Sequence, residues 1–175
     1  DAIWPFVTSY YGLAAAKAGN TAAVMHALAS NMRAAIFFGS NMENMVASTG
    51  GKDTALNSPR QLWSVAGFSG LYRNALLGIR YEDEGIRLSP CVPAQMKACR
   101  KIENFKYRNM SLDIEVVGEG TVLKECQLDG KNLPSAFIPA SLEGHHKLFM
   151  ILTPDAESKK PSLKIGPVQW DLDYP

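Results

Sequence analysis

Leu76-Leu77-Gly78-Ile79-Arg80-Tyr81-Glu82-Asp83-Glu84-Gly85-Ile86-Arg87-Leu88-Ser89 is the stretch that decides the fold. Before Gly78, apolar residues recur at helical spacing. From Gly85 they recur at every second position, with Ile86 and Leu88 alternating with Arg87 and Ser89. Glu82, Asp83 and Glu84 between the two regimes form a solvated turn. The change of period predicts an α+β chain in two parts, helices over 1–80 and an antiparallel β-sandwich over 81–175.

Three helices are expected in the first part. Pro5 suits a first turn and Gly19 a helix end, with Phe6, Val7, Tyr10, Tyr11 and Ala14 as the apolar stripe between them. Thr21 is the expected cap of a second helix, in which Val24, Leu28, Met32 and Ile36 recur every four residues up to Gly39. Ser58-Pro59-Arg60-Gln61 reads as the start of a third, with Ser58 as cap and Gln61 completing a capping box. This helix is apolar nearly all round to Leu77, so it is expected to be buried on several sides. Gly67 and Gly70 lower its propensity and suggest close packing of a neighbour.

Alternation marks strands at Phe105–Tyr107, Leu112–Val116 and Leu148–Leu152, with another over 168–172 and a charged linker over 156–162. Asp129-Gly130 is a hairpin turn signal. The inward set is Leu88, Phe105, Leu112, Ile114, Val116, Leu148 and Met150, while Arg87, Asp113 and Glu115 face water.

The chain has 175 residues, 46% hydrophobic and 20% charged, which is ordinary for a globular protein. Eighteen basic against seventeen acidic residues give a net charge of +1, no electrostatic reason to propose nucleic acid or an anionic membrane as partner. No apolar run is long enough to span a bilayer. Cys91, Cys99 and Cys126 lack CxxC spacing. Cys91 and Cys99 can pair across a loop, but three buried thiols are the expectation. His145-His146 lacks ligand partners at useful spacing, so no metal is expected. The chain opens Asp1-Ala2-Ile3-Trp4-Pro5, without an initiator Met, and is expected to be cut from something larger.

The segment Asn41-Met42-Glu43-Asn44-Met45-Val46-Ala47-Ser48-Thr49-Gly50 places an acid in a loop that is long for a helix connection. It is followed by Asn57-Ser58-Pro59-Arg60-Gln61-Leu62-Trp63-Ser64. A carboxylate, amides and an indole suit a sugar ring. The carboxylate moves protons, the amides bond hydroxyls and the aromatic plane stacks on C–H groups. Taken alone, Glu43 is a solvated loop residue and Trp63 a core residue.

The segment resembles the end of the catalytic barrel in six-hairpin glycoside hydrolases. There a loop reading Glu-Asn, four residues, then Thr-Gly leads into a helix with Trp-Ser. Together with the strand set opening Gly-Ile-Arg-Leu-Ser-Pro-Cys-Val-Pro, the chain is similar to the C-terminal part of bacterial glycoside hydrolase family 63 relatives and glycogen-debranching-like proteins. The resemblance implies that 1–80 are the last helices of an (α/α)6 barrel and 81–175 its C-terminal β-sandwich. It implies an inverting, exo-acting α-glycosidase on oligosaccharides, in the periplasm or outside the cell. Glu43 would be the general base, with Trp4, Asn44, Arg60, Gln61 and Trp63 binding substrate and with no cofactor. The general acid would lie in the preceding part of the barrel, which is the expected partner. Met42 and Met45 depart from the family pattern, where aromatic residues are frequent. Two alternatives stand beside this reading: a disaccharide phosphorylase of similar build, and a non-catalytic carbohydrate-binding or structural module.

Overall fold

The structure, a computed structural model, describes residues 1–155. The expected strand over 168–172 and linker over 156–162 lie outside the described residues. The chain is α+β. A short strand β1 (Ala2–Ile3) leads into helices α1 (Pro5–Lys17) and α2 (Thr21–Phe38). Strand β2 (Met45–Val46) and helix α3 (Leu62–Gly70) follow, and a π-helical segment (Leu71–Leu76) continues α3. The remaining strands are β3 (Ile79–Glu82), β4 (Gly85–Leu88), β5 (Arg100–Tyr107) and β6 (Met110–Gly118). After them come β7 (Val122–Leu128), β8 (Lys131–Asn132), β9 (Phe137–Pro139) and β10 (Gly144–Thr153).

The helices pack through small residues. The buried side of α1 is Pro5, Ser9, Gly12, Ala15 and Ala16, and that of α2 includes Ala23, Ala27 and Ala34. Most of the expected stripe of α1 faces the other way: Val7, Tyr10 and Ala14 are exposed and Phe6 is half-buried, while Tyr11 packs against the helical core. A Cβ on Gly12 would come within 2.5 Å of Leu71 and 2.8 Å of Ala27, and one on Gly67 within 2.8 Å of Ser9. Large side chains on these faces would push the helices apart, so they occupy the outer ones. Nothing approaches Gly70, so close packing accounts for Gly67 alone. Buried Asn31 on α2 donates to Ser9 Oγ (2.8 Å) and to the Pro5 carbonyl (3.2 Å), bonds that fix the pairing of the two helices.

Two helix starts differ from expectation. Asn20, not Thr21, caps α2, its Oδ1 accepting from Ala23 N at 3.0 Å. The third helix begins at Leu62 rather than Ser58. The 58–61 backbone is engaged elsewhere: the Ser58 carbonyl accepts from Glu43 N (2.8 Å), and Gln61 N donates to the Asn41 carbonyl (2.9 Å). Gln61 itself caps α3, its Oε1 accepting from Leu62 N at 3.2 Å.

The strands form a five-stranded sheet in the order β5-β6-β10-β7-β8 and a three-stranded sheet in the order β3-β4-β9. The two share one core. All seven expected inward residues are buried in it, with Ile79, Ile86, Met110 and Ile138. One pair breaks the antiparallel order: β10 runs parallel to β6 and antiparallel to β7. It fills the gap that the 119–121 connection leaves between β6 and β7. That connection passes over the end of β10 so closely that a Cβ on Gly120 would lie 2.5 Å from the Thr153 carbonyl oxygen.

The helices have a second core of Ala15, Ala16, Ala23, Val24, Ala27, Leu28, Leu71, Ala75, Leu76 and Cys91. Leu76 belongs to this core and Leu77 to the sandwich, while Tyr72 and Met96 touch both. The junction is sewn by Cys91 N to the Ala75 carbonyl (2.9 Å) and Ser89 N to the Gly78 carbonyl (2.8 Å). The three cysteines are free. Cys91 and Cys126 are buried but Cys99 is exposed, against the expectation of three buried thiols. Burial pushes the Cys91 thiol up to about 11, which keeps it unreactive. Among the described residues, no helix is long and apolar enough to cross a membrane.

His145 and His146 lie inside β10 rather than ahead of it. His146 Nδ1 bonds Asp129 Oδ2 (2.7 Å) and Nε2 bonds the Glu143 carbonyl (2.8 Å). Both partners are acceptors, so the imidazolium satisfies both bonds at once. The Asp129 bond, then that to Glu143, raises the His146 pKa, and the His146 bond lowers that of Asp129. A raised folded-state pKa gives stability that is complete below the ordinary histidine value of about 6.5. It is lost as pH rises through the raised value. The Asp129 share is lost at the acid end, as pH falls through its depressed value. Solvent screening holds the pair below about 1 kcal/mol. Urea midpoints between pH 6 and pH 9 should therefore fall for the native chain and change less for His146→Gln. Identical pH profiles would remove His146 from the account.

Candidate functional site

Three stretches far apart in sequence converge at the end of the helical hairpin. Strand β1 pairs antiparallel with β2, Ala2 opposite Val46 and Ile3 opposite Met45, which sets the 1–4 segment beside the 41–46 loop. The Glu43–Ser58 and Asn41–Gln61 backbone bonds draw the start of α3 to the same loop from the other side. Trp4 precedes α1 and Trp63 lies in the first turn of α3, so their rings meet with centroids 6.3 Å apart. The structure thus brings Trp4, Glu43, Asn44, Arg60, Gln61 and Trp63 to one end of the hairpin.

The loop is tied internally by amides. Asn44 Nδ2 donates to the Leu56 carbonyl (3.0 Å), and its Oδ1 accepts from Thr54 Oγ1 (2.5 Å). Asn57 Nδ2 donates to the carbonyls of Asn44 and Lys52, both at 2.9 Å. Ser40 Oγ donates to the Pro59 carbonyl. Gly50 N closes a turn on the Val46 carbonyl (2.7 Å), and Gly51 N donates to Thr49 Oγ1 (3.2 Å). Asn44 is 2% exposed and its amide is engaged on both sides, so it holds the loop instead of presenting a free amide to a ligand. Met42 and Met45 are buried beneath the loop.

Glu43 stands apart within this network. Its residue exposure is 9%, and its carboxylate makes no hydrogen bond or ion pair with any described residue. A carboxylate without protein partners satisfies its oxygens through whatever reaches it from outside, water or a ligand. Arg60 is exposed and has no ion pair among the described residues. Gln61 is half-buried and uses its oxygen as a cap.

The aromatic surface is larger than the sequence suggests. Phe6 packs on Trp63 (5.8 Å between centroids) and meets Tyr10 edge-on (4.8 Å, 71°). Trp4, Trp63 and Tyr10 are 37%, 44% and 59% exposed. Phe6 and Tyr10 stand four residues apart on one face of α1, a spacing that signals a shared surface, though assigning that face to the core hid its use. Thr54 and Asn57 were also missed. The density of Asn, Thr and Ser in 40–58 is the signal for a loop held by side-chain bonds. Ser64, beside Trp63, is fully buried with a hydroxyl that has no partner among the described residues. Among the described residues no group of His, Cys, Asp and Glu could hold a metal ion. Compared with known proteins, the chain matches no protein-family model and no curated relative.

Proposed function

We propose that the chain is the C-terminal portion of a carbohydrate-active glycoside hydrolase, an inverting, exo-acting α-glycosidase on oligosaccharides. The observation that carries this reading is Glu43, a residue only 9% exposed whose carboxylate has no described protein partner, on a loop flanked by the Trp4–Trp63 pair. Glu43 takes the proton of a water that attacks the anomeric carbon on the face opposite the leaving group. The indoles offer apolar planes to the C–H face of the sugar ring. Arg60, free of ion pairs among the described residues, donates to hydroxyls from the rim, with Gln61 beside it. The chemistry needs no cofactor.

The general acid is supplied by the remaining helices of the (α/α)6 barrel, of which 1–80 form the end. Apolar side chains on the outer faces support this. Val7, Tyr10, Met32, Ile36, Phe37 and Leu62 are all exposed, Ile36 by 77%. Large apolar groups left on the outer faces of all three helices fit surfaces that further helices would cover. By the same resemblance the enzyme acts in the periplasm or outside the cell. The 175 residues alone lack the acid and are expected to release no glucose from maltotetraose. Turnover by the isolated chain that depended on Glu43 would overturn the barrel assignment.

A further inference from the structure

A second aromatic surface lies at the other half of the molecule. Strand β3 carries Tyr81 and strand β5 ends at Tyr107, and the two rings meet at a tilt, centroids 6.0 Å apart and planes inclined by 37°. Tyr81 is 58% exposed. Next to Tyr107, the Arg108 guanidinium lies 5.7 Å over that ring. Arg108 also borders a cleft of about 380 Å³ with Asp83, Glu84 and Phe137, a volume within the range of ligand clefts.

Three features of this end of the sandwich point to a ligand. Asp83, Glu84 and Arg108 make no ion pair among the described residues, although they border one cleft. Their acceptors and donors are therefore available together. A partner rich in both donors and acceptors but without net charge, a polyhydroxylated ring, matches that set better than an anion or a cation. Arg108 also sits at φ 49°, where Asn or Gly is the ordinary occupant of a hairpin turn. The guanidinium over Tyr107 is held there in spite of that backbone strain. Finally, Tyr107 is packed on the sandwich core and carries Tyr81 on one side and the Arg108 guanidinium on its ring, so one exposed aromatic plane and one cation are held side by side.

We infer that Tyr81, Tyr107 and Arg108, with Asp83 and Glu84, form a non-catalytic oligosaccharide-binding site on the sandwich. Tyr81 stacks on one sugar ring, and Tyr107, packed on the sandwich core beneath it, holds Tyr81 and Arg108 in place. Arg108 donates to hydroxyl oxygens, and the two carboxylates accept from hydroxyl protons. This goes beyond the hydrolase reading and does not depend on Glu43.

The test is titration of the intact chain with maltopentaose, followed by two-dimensional NMR. Shifts are expected at the amides of residues 81–84 and 107–108. Tyr81→Ala, at an exposed position, should weaken binding by about tenfold with unchanged circular dichroism. Arg108→Asn, which fits the turn, should also weaken it. Trp63→Ala should leave these shifts in place. Absence of shifts at 81–84 and 107–108 at millimolar sugar would overturn the inference, as would equal affinity of the Tyr81→Ala chain. Shifts confined to residues near Trp63 would overturn it too, while leaving the hydrolase reading standing.

Discussion

Gly78→Ala is expected to lower the thermal midpoint by roughly 10–20 °C, while Gly39→Ala lowers it by only a few degrees. Both glycines have left-handed backbones, φ 69° and φ 62°. Alanine at either place bears the same strain, of order 1–3 kcal/mol. They differ in surroundings. Nothing lies within 4 Å of a Cβ added at Gly39. At Gly78 that Cβ would meet the Ser89 carbonyl carbon at 2.1 Å and the Pro90 nitrogen at 2.2 Å. These are backbone atoms and cannot turn aside as a side chain does. The Ser89 N to Gly78 carbonyl bond and the Cys91 N to Ala75 carbonyl bond fasten the same two segments. Overpacking adds to the strain, for a total of about 5 kcal/mol, against a stability of about 5–15 kcal/mol for an ordinary domain. The position also joins the two cores, since Leu77 enters the sandwich and Leu76 the helical core. Equal midpoints for the two variants would show that Gly78 is not the tight joint between helices and sheets.

The switch from helix to sheet was legible because each strand advertises itself locally. A period of two survives any arrangement of strands, so the inward set from Leu88 to Met150 could be named without knowing which strand lies beside which. Strand order is another matter. The Asp129-Gly130 turn marks a hairpin because a left-handed pair of residues is a local requirement, met at φ 50° and φ 76°. Nothing local marks β10 as the parallel neighbour of β6, separated from it by the whole of β7, β8 and β9. The helix faces misled for a different reason. Periodicity is weighted by the largest apolar side chains, and here those lie outward while Ser9, Gly12, Ala23 and Ala27 make the contact. In α2 the four-residue stripe is half right: Val24 and Leu28 are buried, Met32 and Ile36 exposed.

The candidate site was legible as a segment and illegible as a surface. Glu43 and Trp63 were singled out from a short motif, and backbone pairing brings them to one place. Asn44 reads as a sugar-binding amide until Thr54 and the Leu56 carbonyl are found on it. Ser58 reads as a helix cap until its carbonyl is found on Glu43 N. In both cases a local rule was overridden by a bond to a residue ten to fifteen positions away, which no window of sequence contains. The Tyr81 turn reads as solvated for the same reason, because Tyr107 and Arg108 come from another sheet.

On the proposed glycosidase reading, Glu43→Gln in a full-length protein carrying the rest of the barrel is expected to lower kcat by about a hundred- to ten-thousand-fold and leave KM nearly unchanged. The amide matches the carboxylate in shape, so the loop is preserved, but it cannot take a proton from the attacking water. The same substitution should not destabilise the protein. Glu43 makes no hydrogen bond or ion pair with a described residue that the change would break. With the shape kept and no bond lost, the urea midpoint is expected to stay level. The pairing of these two results separates a base from a loop anchor. An anchor would lose stability and activity together, as Asn44→Ala should when its bonds to Thr54 and Leu56 go. Full turnover in Glu43→Gln would take Glu43 out of the mechanism. A fall in stability that matched the fall in rate would make it a structural residue, and the carboxylate–indole arrangement would no longer support a glycosidase.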